Sequence, residues 1–167
     1  ETLTETSASG DGFLARLCRE WELAARPAEV LGLRVVRLRT GVVLGRLGGA
    51  LSQMRPPFEF GLGGPVGSGK QYLPWIHLHD LVKIIAVTLV DDRYRGPVNG
   101  VAPEQATSRS FARALGRALH RPAIVPLPAA EKGIGTPTVL DTAGGLVKLI
   151  LVRAKAALRL PALAVTT

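Results

Sequence analysis

Three groups of residues in this chain of 167 have types and spacing that could do chemistry. The first is the loop Gly61-Leu-Gly-Gly-Pro-Val-Gly-Ser-Gly-Lys-Gln71, in which Gly61, Gly63, Gly64, Gly67 and Gly69 crowd together. Such density implies positive φ or a close approach of some other group to the backbone. Lys70 can meet a phosphate or carboxylate there, or stand in solvent. No Gly-Lys-Ser/Thr closes the loop, so it is not a triphosphate cradle of the Walker type. No strand runs straight into it and no helix opens from its last glycine, so it is not a dinucleotide-binding turn either.

The second group is His77, His79 and Asp80. On a strand, residues two apart face one side, so the two histidines could ligate a metal. No third ligand at a recognised spacing joins them. Structural hydrogen bonds are the plainer reading and no metal site is assigned. Asp80 suits a helix N-cap better than a catalytic acid. The third group is Arg34, Arg37 and Arg39, which interrupt an apolar run. One side of that run must meet solvent, an anion or a carboxylate, and for Arg39 a carboxylate at the sheet end is favoured. Cys18 reads as core, since its helix face is apolar and nothing nearby would lower its pKa.

These residues need elements to position them. Apolar Phe13, Leu14, Leu17, Trp21 and Ala24 or Ala25 recur at helical spacing, predicting a helix over 11–26 with Asp11 as N-cap and Pro27 as its stop. The Val- and Leu-rich stretch 33–44 predicts a buried strand. A short helix broken at Pro56-Pro57 is expected over 48–60. A strand follows at 75–78, then a helix capped by Asp80 and running to about Val90. Further expectations are a strand at 98–101, a helix from Thr107 or Ser108 to about His120, and a last strand at 124–127. Residues 138–160 read as a basic amphipathic helix that could lie on a membrane surface, dock on a partner, or pack on its own domain. No internal repeat is present.

The composition is 47% hydrophobic and 20% charged, which suits one globular domain with a sizeable core. A single cysteine excludes an internal disulfide and fits a reducing compartment. No apolar run is long enough to span a bilayer. Glu in place of Met at position 1 predicts a processed form or a fragment. The net charge of +8 could signal nucleic acid, anionic lipid or a large assembly. Basic residues are scattered and aromatics reach only 5%, so stacking platforms are scarce and no specific nucleic-acid partner is expected.

Three blocks carry a resemblance: LRTGVVLG at 38–45, PPFEFGLGGPVGSGKQYLPWIHLHDLV at 56–82 and GPVNGVAPE at 96–104. In this order they resemble one branch of the extended short-chain dehydrogenase/reductases. It is the atypical epimerase family branch, usually described as NAD(P)-binding and of unknown substrate. The resemblance runs from about Thr2 to Pro128. It implies an α/β fold, the C-terminal portion of such a protein: the last strands of a Rossmann-like parallel sheet with a small substrate-side subdomain. Residues 1–128 would form that portion, and 129–167 a divergent, basic, helical extension.

The resemblance also says what is missing. In active relatives an N-terminal strand, Gly-rich turn and helix hold the pyrophosphate on backbone N–H groups. Here the N-terminal dinucleotide half is absent, whether carried by another chain, lying elsewhere in a longer protein, or lost. Active relatives also carry a Tyr with a Lys four residues on, for acid–base work. The corresponding pairs here are Phe13 with Leu17, or Leu14 with Cys18, so no catalytic residue is assigned. The usual Asn of the nicotinamide contact falls at Val42, leaving the backbone of Thr40, Gly41, Val42 and Val43 as the candidate cofactor-lining segment. Gly67, Gly69, Lys70 and Gln71 are the candidate substrate-cleft residues. Leu73 stands where sugar-nucleotide enzymes place an Arg, which argues against a diphosphate substrate.

Two functions are therefore expected to compete. The favoured one is a non-catalytic structural subunit of a larger assembly, mitochondrial or otherwise organellar, with a cytoplasmic location as the alternative. Its partners would be other protein chains, one of which includes or replaces the missing half. The other is half of an NAD(P)-dependent oxidoreductase or epimerase-like protein. No cofactor is expected for this chain alone, and NAD(P) if the other half completes it.

Overall fold

The computed structural model describes residues 2–127 and 147–153. Helix α1 is Phe13–Ala24, built from good helix formers such as Leu, Ala, Arg and Glu. Its N-cap is Gly12, with no side-chain cap, so Asp11 does not play that part. Pro27 does not stop the chain's helical course. It lies in the first turn of a second short helix, α2 (Arg26–Val30), where a missing N–H costs nothing.

The apolar run after α2 is two strands rather than one: β1 (Arg34–Thr40) and β2 (Val42–Gly45). Gly41 divides them. A Cβ there would lie 2.7 Å from the Pro74 carbonyl carbon and oxygen, so only glycine lets the chain turn so close to that peptide. The Gly41 N–H donates to Gly100 O and the next N–H, of Val42, to Pro74 O. Consecutive residues thus serve two different sheets.

The remaining elements are β3 (Gly48–Gly49), α3 (Ala50–Glu59), β4 (Tyr72–Leu73), β5 (Trp75–His77), α4 (Leu78–Val90), β6 (Gly96–Gly100), β7 (Ala106–Thr107), α5 (Ser108–Ala118) and β8 (Val147–Arg153). α3 runs through Pro56 and Pro57 instead of breaking there, forgoing two backbone donors in its last turn. Residues 124–127 form no strand of their own. They run beside the glycine loop and share one parallel bridge, Val66 with Leu127.

Sheet order is β6-β1-β8 in one sheet and β3-β2-β5 in another, with a β4–β7 ribbon. β1 is parallel to β6 and antiparallel to β8, whereas β2 is parallel to β5. Along β1 the side chains alternate. Leu38, with Ile76 and Leu81, forms a buried cluster on which Val43, Ile84, Ile85 and Val98 pack. Val42 and Leu73 form a second cluster with Leu44, Ala50 and Phe111.

The helix expected over 138–160 is corrected where it is described: residues 147–153 are strand β8. Val-Lys-Leu-Ile-Leu-Val is rich in strand-favouring residues, and β1 offers it a seven-residue edge. The helical basis for a membrane-surface contact goes with it over those residues; the rest of 138–160 lies outside the described residues. No helix among the described residues is long and apolar enough to cross a membrane.

Candidate functional site

The glycine loop closes on the chain itself. Gly61, Gly67 and Gly69 take positive φ. A Cβ on Gly64 would sit 2.0 Å from Val125 O, and one on Gly63 2.3 Å from the Phe58 ring. The groups whose close approach the glycines permit are thus Phe58 and the backbone of Val125. The Val125 and Leu127 N–H groups donate to Gly63 O and Pro65 O, and the Gly67 N–H donates to Leu127 O.

The loop also fills the N-terminus of α5. The first N–H groups of a helix have no partner within it and are a ready anion site. Here the Ser108 N–H donates to Gln71 O and the Arg109 N–H to Gly69 O. The Ser110 N–H is taken by Thr107 Oγ1 in a capping box. Ser108 Oγ accepts from the Val66 N–H, and an Arg109 guanidinium N–H donates to Ser68 O. The Gln71 amide is spent on Val66 O. Of the expected cleft residues, Gly67, Gly69 and Gln71 hold this clamp together. Lys70 is exposed and pairs with no acid among the described residues.

Thr40, Gly41, Val42 and Val43 lie at the carboxyl end of parallel β1, the end where open α/β sheets bind ligands. Thr40, Gly41 and Val42 are buried, and the N–H groups of Gly41 and Val42 are already committed. Just beyond the loop, Leu73 packs on Val42 in one buried cluster. Neither the Gly41 and Val42 N–H groups nor the first N–H groups of α5 are therefore free to hold a dinucleotide pyrophosphate, and no chemical step through such a group is derived.

His77 is the N-cap of α4: its Nδ1 accepts the His79 N–H at 3.2 Å. His79 is already helical, and the two rings meet edge to face with centroids 5.1 Å apart. Asp80 is not the cap. It sits in the first turn, 3.5 Å from Lys83 Nζ.

The arginines of β1 do structural work on both faces of the sheet. Arg34 is buried and caps the carboxyl end of α4, donating to Thr88 O (2.6 Å), Leu89 O (2.9 Å) and Tyr94 O (3.2 Å). Its Nε is 2.9 Å from Asp92 Oδ1 but out of line for a hydrogen bond, so that contact is an ion pair only. On the opposite face Arg39 grips Glu22 of α1 with two hydrogen bonds, at 2.8 and 3.0 Å. That hydrogen bonding raises the Arg39 pKa against the opposing effect of burial. Arg37 pairs with Glu29 of α2 and lies 4.0 Å from Glu22.

α1 is thus fastened to the sheet by charge. Phe13 is 71% exposed, and Leu14, Trp21 and Leu23 are exposed too, while Ala15, Cys18 and Glu22 lie on the inner side. Cys18, expected as core, lies on the inner side, but Glu22 as the anchor was not foreseen. The available signal was the excess of Arg on β1, which needed acids somewhere.

A parallel strand pair backed by α4, with an irregular glycine loop beside it, is an α/β arrangement of the dehydrogenase/reductase kind, and comparison with known proteins makes it specific. No family model matches the chain. The epimerase family protein SDR39U1 of Bos taurus is 52% identical over 129 residues, 75% of this chain and 43% of that protein. An epimerase family protein of Mycobacterium tuberculosis is 48% identical over 124 residues, 74% of this chain and 41% of its own length. The Arabidopsis thaliana homologue, named as chloroplastic, is 43% identical over 155 residues, 90% of this chain and 43% of its own.

Among solved structures, human SDR39U1 with NADPH superposes with a TM-score of 0.69 at 49% identity, covering 74% of this chain and 42% of that one. A nucleoside-diphosphate sugar epimerase of Corynebacterium glutamicum gives 0.66 at 33%, covering 87% and 34%. The chain belongs to the epimerase family of atypical short-chain dehydrogenase/reductases. It spans less than half the length of the relatives it matches.

Proposed function

We propose that this chain is a non-catalytic module of the epimerase family fold that works bound to another protein chain. The observation that carries this reading is α1. Its apolar stripe points outward, its inner side is held by Glu22, and the positions that would bear a Tyr–Lys pair are Phe13–Leu17 or Leu14–Cys18. Apolar side chains exposed together on one helix face suit an interaction surface. The occupant it suits is a polypeptide carrying the portion of the fold that the relatives have and this chain does not span. The Arabidopsis relative supports an organellar setting for that complex, and the scattered positive charge suits a large assembly.

A second reading makes the chain one half of an NAD(P)-dependent oxidoreductase or epimerase-like protein. The NADPH held by the human relative, 49% identical, favours it. Isothermal titration with NADPH separates the two. On both readings the chain alone binds no nucleotide saturably. Once mixed with the complementary part of a relative, the half-enzyme binds NADPH one to one. The structural module forms the complex, and the nucleotide adds nothing that the complementary part does not bind by itself.

A further inference from the structure

Basic residues that are scattered in the sequence are gathered by the fold along α5. Arg109, Arg113 and Arg117 stand four residues apart on this helix and all three are exposed. Each step of four advances about 6 Å along the helix axis. Exposed Lys70 adjoins the first of them: the Arg109 guanidinium donates to Ser68 O, and a Cβ on Gly69 would lie 3.1 Å from the Arg109 Cβ. Exposed Arg121 adjoins the last turn, its N–H donating to Gly116 O. The two segments that build this surface, 60–79 and 105–130, contain no Asp or Glu. No ion pair among the described residues includes any of the five cations.

Like charges four residues apart weaken a helix. α5 carries two such pairs in succession and no acid to offset them. A local rule broken without compensation inside the chain points to a functional surface. Arg109 has a carbonyl to hold, and Arg117 suits the carboxyl end of the helix. Neither reason covers Arg113. The rest of α5 narrows the choice of partner. Its apolar side is spent on the core, with Ala112 and Gly116 buried and Phe111 packed on the Val42–Leu73 cluster. Beside the arginine row the exposed residues are Ser110, Ala114 and Ala118. A protein partner needs a large apolar or aromatic anchor, and an interfacial membrane helix needs an apolar face to sink. The exposed side of α5 offers neither, so what fits it is a partner held by charge alone. A nucleic-acid duplex carries one negative charge per about 1.7 Å of its axis, and with its bases turned inward it requires no stacking platform. The scarcity of aromatics that speaks against base recognition leaves this mode untouched.

We propose that the arginine row of α5, with Lys70 and Arg121 at its ends, binds the phosphate backbone of duplex nucleic acid without regard to base sequence. The guanidinium groups meet successive phosphates, and the small residues beside them let the backbone come close. The surface is distinct from the α1 stripe, and its binding holds whether or not a completed fold takes a dinucleotide.

The test is fluorescence anisotropy of a short labelled DNA duplex titrated with the full chain, between about 50 and about 200 mM salt. With three to five phosphates neutralised, log K should fall against log salt with a slope of about −3 to −4.5, and a duplex of unrelated sequence should bind equally. Arg113→Ala with Arg117→Ala should bring the slope about 2 closer to zero and weaken binding at the low-salt end by roughly 10- to 100-fold. Arg26→Ala with Arg46→Ala removes the same charge from exposed positions elsewhere and should leave the slope in place. Equal losses from the two pairs would mean that net charge alone binds the duplex, and no saturable binding would mean that the row takes no nucleic acid; each overturns the proposal. So does retention on phosphatidylserine vesicles or on polyglutamate, through Arg113 and Arg117, by a chain that leaves the duplex unbound. Should the α5 alanine pair lower the thermal unfolding midpoint, Arg113→Gln with Arg117→Gln takes its place, and an unchanged slope in that variant rejects the site.

Discussion

Arg34 shows what one residue does in this fold. Its guanidinium donates to the carbonyls of Thr88 and Leu89 at the end of α4 and to that of Tyr94 in the turn that follows. Arg34→Ala removes the hydrogen bond to the buried Thr88 carbonyl and two part-buried ones, and urea unfolding is expected to show a loss of about 2–4 kcal/mol. Arg34→Lys should recover only part of it, because a point charge cannot reach three acceptors as a planar fork does. Asp91, at the C-cap of α4, makes a different kind of prediction. Hydrogen bonds from the Arg93 side chain and backbone N–H hold its carboxyl down, from an ordinary value of 3.8 to about 2. A depressed folded pKa means that the pair supports the fold fully above about pH 4 and loses that support as pH falls through about 2. An NMR titration of Asp91 should find that low midpoint, and Arg93→Ala should return it toward 3.8.

At the scale of elements, α1 separates pattern from placement. Its apolar spacing predicted the helix correctly but did not say which side meets the sheet, which Glu22, Arg37 and Arg39 decide. Replacing Trp21 by Glu should therefore leave the stability of the chain within about 0.5 kcal/mol of its original value, as for a surface position. It should abolish capture of the complementary chain in a pull-down. A large loss of stability would mean that the apolar stripe packs within the chain after all. The glycine loop argues the other way. Gly64→Ala puts a methyl group into the Val125 carbonyl, and a loss of about 1–3 kcal/mol by thermal unfolding is expected from overpacking against backbone that cannot yield.

Across the described residues a small buried core stands beside clusters of exposed apolar groups. Leu38, Ile76 and Leu81 are buried, while exposed apolar groups gather on α1, α2 and the outer side of α4. A partner covering α1 should shift the fluorescence of Trp21 to the blue, and the shift should vanish in Trp21→Phe while Trp75 is left in place. The blocks at 38–45, 56–82 and 96–104 were enough to place the chain in its family, since long ordered motifs survive without any knowledge of contacts. The helices α4 and α5 and the capping by Thr107 were also legible, because they rest on local periodicity and cap chemistry. What the glycine loop approaches was not legible: its neighbours Val125 and Ser108 are some forty to sixty residues away. Nor was the fate of residues 147–153, whose helical spacing yields to pairing with β1 along seven residues. Local rules determine which elements exist; which face is buried, which N–H groups are already spent and which strand pairs with which depend on partners distant in sequence, and only the tertiary structure decides them.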